Sequence, residues 1–200
     1  MTQNDLFLQW LSEEQAAYIH GWDFSHIQDR YEECQSLPWD YGQAVHDLLR
    51  PTHRILDMDT GGGEFLLSLG HPHSLTAATE GYPPNIALCR KVLLPLGIDF
   101  RGADGGGPLP FPDESFDLVL NRHGDYLPSE ILRVLKPGGI FVTQQVGAEN
   151  DRDLVELLLN PAPPLPFPEQ YLDIARKKLE FLGLRILEAQ ESFQPIRFWD

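Results

Sequence analysis

Between residues 54 and 146 the apolar positions fall into short, nearly unbroken runs: 54–57, 74–80, 98–101, 117–121 and 139–146. Runs this short and this apolar predict strands buried on both faces. Helical spacing fills the gaps at 64–69, 85–96 and 129–135, with stops at Gly70, Gly97 and the turn KPGG at 136–139. Strands alternating with helices predict an α/β fold: a doubly wound, mostly parallel sheet with helices on both faces. The Gly/Pro-rich stretch between Gly102 and Phe116 breaks that rhythm and reads as a loop. Further on, helices are expected at 151–159 and 168–182, separated by PAPPLPFP, with a strand from Arg185 to about Ser192. The first fifty residues read as helices. Leu6, Phe7, Trp10 and Leu11 recur at helical spacing, Ser12 and Gln15 have the form of a capping box, and 44–49 ends before Pro51. The expected organisation is a helical extension or lid over 1–50 and an α/β core over 51–200.

Composition changes the picture little, and charge changes it more. Apolar residues make up 42% and charged residues 22%, as in an ordinary globular chain. No run is long enough for a membrane span, and no basic run precedes the first apolar residues as in a secretory signal. Cys34 and Cys89 build neither a disulfide framework nor a zinc motif, so a reducing cytoplasm is expected. Thirty acidic against 15 basic residues leave a net charge of −15, which repels phosphate backbones and argues against a nucleic-acid partner.

Candidate chemistry starts at residues 55–66, ILDMDTGGGEFL, where a strand runs through a glycine-rich turn into a helix. Such a turn lets the backbone approach a ligand closely. Glycines after a strand also suit a dinucleotide, and charge separates the two readings. Asp57 and Asp59 would repel a pyrophosphate at the helix N-terminus. They would favour the sulfonium and ammonium of S-adenosylmethionine. Glu80 closes the next strand about 20 residues on, placed to accept from ribose hydroxyls; alone it would read as a solvated carboxylate. Gly81 and Tyr82 follow, the latter able to pack on adenosine. In GADGGG at 102–107, Asp104 could accept from an adenine amino group with the Gly105 amide near a ring nitrogen; the plainer reading is a turn-forming Asp.

Three segments in order, ILDMDTGGGEFL, LPFPDESFDLVL (109–120) and RVLKPGGIFV (133–142), resemble the class I S-adenosylmethionine-dependent methyltransferases, especially the ubiquinone/menaquinone-biosynthesis branch. The resemblance covers roughly residues 50–148. It implies a Rossmann-like core and a methyl donor held by Asp57, Met58, Asp59, Thr60, Gly61, Gly63, Glu80, Gly81, Tyr82, Asp104, Gly105 and Asn121, with LKPGG only a structural turn. Two departures stand out. Asp59 occupies the first glycine position of the family turn, where its short polar side chain tolerates left-handed backbone. Similar proteins also close a seven-stranded sheet with two antiparallel strands; here Pro195 disfavours a central strand over 193–199, so the last strand is expected to be missing.

On the acceptor side, NRHGDY at 121–126 follows the fourth strand and lies at the carboxyl edge, where such sheets bind ligands. His123 is the candidate base or acceptor contact and Arg122 the candidate for orienting a substrate anion. Asp125 and Tyr126 are secondary. Tyr18, Trp22, Tyr31 and Trp39 could line the acceptor site or merely pack helices. His71 and His73 lack companions for a metal site, and Cys89 reads as core. The expectation is therefore a methyltransferase acting on a small neutral or cationic molecule. The competing readings are a non-catalytic module that binds S-adenosylmethionine, an NAD-dependent oxidoreductase and an RNA methyltransferase.

Overall fold

The computed structural model describes residues 2–16, 28–33 and 36–199. It divides into two compact units, Met1–Pro38 with Ser192–Asp200, and Trp39–Glu191. In the smaller unit, helix α1 (Gln3–Ala16) opens with a reciprocal cap: Thr2 N–H donates to Asp5 and Asp5 N–H to the Thr2 hydroxyl. The capping box expected at Ser12 and Gln15 instead lies inside this helix. Strand β1 (Tyr31–Glu33) pairs antiparallel with a short strand at the other end of the chain, Ile196–Phe198.

The larger unit begins with α2 (Tyr41–Leu48), capped by Asp40 accepting from the Gln43 amide at 3.0 Å. Then come β2 (Ile55–Met58), α3 (Glu64–Ser68), β3 (Thr76–Glu80), α4 (Pro83–Val92), β4 (Asp99–Gly102), β5 (Phe116–Arg122), α5 (Pro128–Val134) and β6 (Leu135–Gln144). After α6 (Arg152–Leu158) and α7 (Leu172–Phe181), the strand expected at 185–192 does not form; 184–195 carry no regular element. The late strand is instead Ile196–Phe198, β7, in the smaller unit. No described helix is long and apolar enough to cross a membrane.

The sheet is parallel throughout, in the order β4-β3-β2-β5-β6. Alternation along each strand builds two cores. Ile55, Ala78, Leu118 and Leu120 face Tyr41, Val45, Leu66, Cys89 and Leu93 from α2 to α4. Leu56, Met58, Ala77 and Val119 face Ile131 and Val134 of α5. On that second face a loop does the work of a helix between β4 and β5: Leu109 and Phe111 are buried, and the Phe111 ring meets Phe116 edge-on at 5.0 Å. Arg133 pins the loop, donating to the carbonyls of Leu109 and Phe111 and pairing with Glu130 and Asp113. The turn KPGG emerges as a break in register, with Phe116 opposite Leu135 and Leu118 already opposite Ile140. Because β3 and β4 extend the sheet one way from β2, and β5 and β6 the other, a crevice opens where the order reverses, beyond the carboxyl ends of β2 and β5.

Candidate active site

Strand β2 delivers Asp57 to this switch point. Asp57 is buried, and the Thr60 hydroxyl donates to it at 2.6 Å. Loss of water, only partly offset by Thr60 and by the field of Arg122, raises its pKa to about 6. Asp59 takes left-handed backbone at φ 52°, so the turn survives an acid in place of a glycine. Its pKa rises to about 7, through burial first and then repulsion from Glu80, Asp104 and Asp125, against a hydrogen bond from the Gly105 amide. At Gly124 only glycine fits: a Cβ there would run into the Asp59 side chain. Gly63, at φ 88°, is needed twice, since a Cβ would also lie 2.8 Å from Leu93, just past the end of α4. Beside Gly61, by contrast, the space a side chain would take is open.

Glu80, at the end of β3, accepts from the amides of Gly61 and Tyr82, each at 2.8 Å. It staples the two turns together while each oxygen keeps a lone pair free. Cys89 is buried as expected, and its thiol donates to the Gly61 carbonyl at 3.0 Å, tying α4 to the turn. Asp104 accepts from the Gly106 amide in a local turn, and a Cβ on Gly81 would lie 3.1 Å from its Cα. Tyr82 is half exposed as the N-cap of α4. Met58 is different: its side chain is spent in the core, leaving only backbone for a ligand.

Asn121, next to last in β5, is fully buried. Its side-chain carbonyl oxygen accepts from Thr143 and Gln145, while its side-chain amide nitrogen has no partner among the described residues. A buried, unfilled donor costs about 1–3 kcal/mol unless something binds it. Together with the open space at Gly61 and two cation-starved acids, it fits a ligand that brings both acceptor oxygens and positive charge. S-adenosylmethionine has both.

At the rim, Arg122 lies over the rings of Phe65 and Tyr41, its guanidinium carbon 5.1 and 5.5 Å from their centroids. Its position is fixed by that stacking, and it makes no hydrogen bond or ion pair among the described residues. His123 lies beside Gln144, nitrogen to nitrogen at 3.1 Å, and Gln144 also holds Trp39 at 2.9 Å. Water loss on its packed side, with Arg122 adding to it, lowers the pKa of His123. Tyr126 is half-buried, its ring edge-on to Phe141 at 5.0 Å and packed against the second core. Tyr31 lies in the smaller unit with its ring against Phe198. Tyr18 and Trp22 lie outside the described residues. Sequence reading missed Tyr41, Phe65, Gln144 and Gln145. Gln144 ends β6 and Gln145 follows it, at the same edge as NRHGDY, and that position is the signal that pointed to them.

The methyltransferase domain family matches residues 56–143. The chain is similar to 2-methyl-6-phytyl-1,4-hydroquinone methyltransferase of Synechocystis sp., 30% identical over 142 residues, which are 66% of this chain and 40% of that protein. Demethylmenaquinone methyltransferase of Deinococcus radiodurans is 32% identical over 52% of this chain and 47% of its own. Phthiotriol/phenolphthiotriol dimycocerosates methyltransferase of Mycobacterium tuberculosis is 36% identical over 46% of this chain and 36% of its own. The chain thus spans less than half the length of these curated relatives. Among solved structures, a SAM-dependent methyltransferase from Aquifex aeolicus superposes with a TM-score of 0.51 at 18% identity, over 82% of this chain and 84% of the other, a likeness of fold.

Proposed function

We propose that this chain, which carries a class I S-adenosylmethionine-dependent methyltransferase domain over residues 56–143, transfers a methyl group to a small neutral acceptor at the carboxyl edge of β5. The observation that carries the reading is the pair of acids at the turn, Asp57 and Asp59, shielded from water with no cation paired to either among the described residues, so that burial raises both pKa values. Bound S-adenosylmethionine supplies an electrophilic methyl on a sulfonium. Asp57 would meet the donor's ammonium, the spare lone pairs of Glu80 would take its ribose hydroxyls, and Asp104 would take the adenine amino group, while the Gly105 amide is already turned to Asp59. Asn121 would fill its empty amide on a donor oxygen. With a neutral acceptor, the anion left for Arg122 is the donor's own carboxylate, which Asp59 would otherwise repel. The rim residues then orient the acceptor and keep water out, and orientation supplies much of the rate in such a displacement.

Two observations favour an uncharged acceptor of phenol or quinol type: the names of the relatives from Synechocystis and Deinococcus, and a net charge of −15 that attracts no anion. Incubation with labelled S-adenosylmethionine and a panel of hydroquinones, phenols and amines tests this. Label on the hydroxylated compounds is expected; label on amines alone would contradict the acceptor, and no donor binding would contradict the whole reading. A second reading, a donor-binding module without turnover, draws on the loops around Gly105 and Asp125, whose backbones meet over Asp59. It predicts donor binding with no acceptor methylated by the intact protein.

A further inference from the structure

His123 belongs to a hydrogen-bond relay whose direction is fixed from one end. The indole of Trp39 can only donate, and it lies 2.9 Å from the Gln144 side-chain oxygen. The Gln144 carboxamide is therefore oriented, with its NH2 turned to His123 Nε2 at 3.1 Å. A donor facing Nε2 requires a lone pair there, so the proton of the neutral ring sits on Nδ1. Reversing the carboxamide would set its NH2 against the Trp39 N–H. An imidazolium would set N–H against N–H at Gln144. Both alternatives lose a hydrogen bond, and the positive Arg122 next in the chain opposes the imidazolium as well.

We propose that Trp39 and Gln144 are positioning residues that hold His123 as the Nδ1–H tautomer, so that it meets the acceptor as a hydrogen-bond donor to an oxygen lone pair. The role differs from the base expected from sequence, because the nitrogen free to face a substrate already carries a proton. His123 is exposed at the rim, and Nδ1 has no protein partner among the described residues. A donor at that point selects acceptors with a carbonyl or hydroxyl oxygen and disfavours ammonium groups, which offer no lone pair. The inference rests on the acceptor lying at this rim, and it sharpens a neutral acceptor to an oxygen-bearing one.

Long-range proton–nitrogen NMR of histidine-labelled protein reads the tautomer directly, with the His123 signal identified by its loss in His123→Gln. At neutral pH the wild type is expected to have a protonated Nδ1 and a bare Nε2. Trp39→Phe should release Gln144 and mix the tautomers, and Gln144→Glu should draw a proton onto Nε2. With hydroquinone as probe acceptor, Trp39→Phe should raise KM roughly tenfold while affinity for the demethylated donor product stays unchanged. A wild-type ring protonated on Nε2 overturns the proposal, as does a Gln144→Glu spectrum identical to wild type. The expected tautomer without methylation of any oxygen compound overturns the acceptor assignment and leaves the relay standing.

Discussion

Carboxylates near the amino edge of the sheet and carboxylates at its carboxyl edge live under opposite conditions. Asp99 pairs with Arg54 and Arg101, Asp117 with Lys136, and Glu130 with Arg133. Burial alone would raise Asp117, but the hydrogen bond from Lys136 and the Arg54 amide outweigh it and hold its pKa down. The Arg133 hydrogen bond, helped by the Leu109 amide, does the same for Glu130. Asp57 and Asp59 have no such cationic partner among the described residues and are pushed up instead. One group holds the fold together. The other is a set of acids awaiting a positive charge.

Changes on each side should therefore separate binding from stability. The largest effect belongs to Asp57→Asn, which keeps the shape but removes the charge: affinity for S-adenosylmethionine, measured calorimetrically, should fall about 100-fold with the melting temperature held or raised. Retained affinity would show that the acid is not the donor's partner. Arg133→Ala should do the reverse. Stripping the loop's carbonyls of their donor should cost about 2 kcal/mol in denaturant unfolding, with donor affinity unchanged; loss of affinity in that variant would blur the distinction. A smaller effect is expected for Asp59→Asn. Because folding raises the Asp59 pKa, its contribution is complete below the unfolded value near 4 and is lost as pH climbs through about 7. The variant should gain about 1 kcal/mol at pH 8, a figure discounted for partial exposure, and nothing at pH 4. Equal stability at both values would mean that Asp59 is not strained by its neighbours.

The same contrast explains what the sequence disclosed. The five sheet strands were legible to within a few residues, except that β6 starts earlier than expected, because burial on both faces leaves an unmistakable apolar run. The placement of Asp57, Glu80 and Asn121 at one edge was legible because strand ends in this topology meet there. The pairing of β1 with β7 was not, since three-residue strands carry no periodicity, and residues 185–192 alternate without finding a ladder partner. Nor could the tautomer of His123 be foreseen. Gln144 lies 21 residues from it, and Trp39 lies 105 residues from Gln144, so only the folded sheet joins them.

Titration of S-adenosylmethionine into the protein at pH 6, in two buffers of different ionisation heat, tests the cation-awaiting crevice most directly. A positive ligand beside acids with pKa values near 6 and 7 must drive protons off them, so net proton release is predicted, fading by pH 8. Binding with no exchange of protons at pH 6, or with proton uptake, would contradict it.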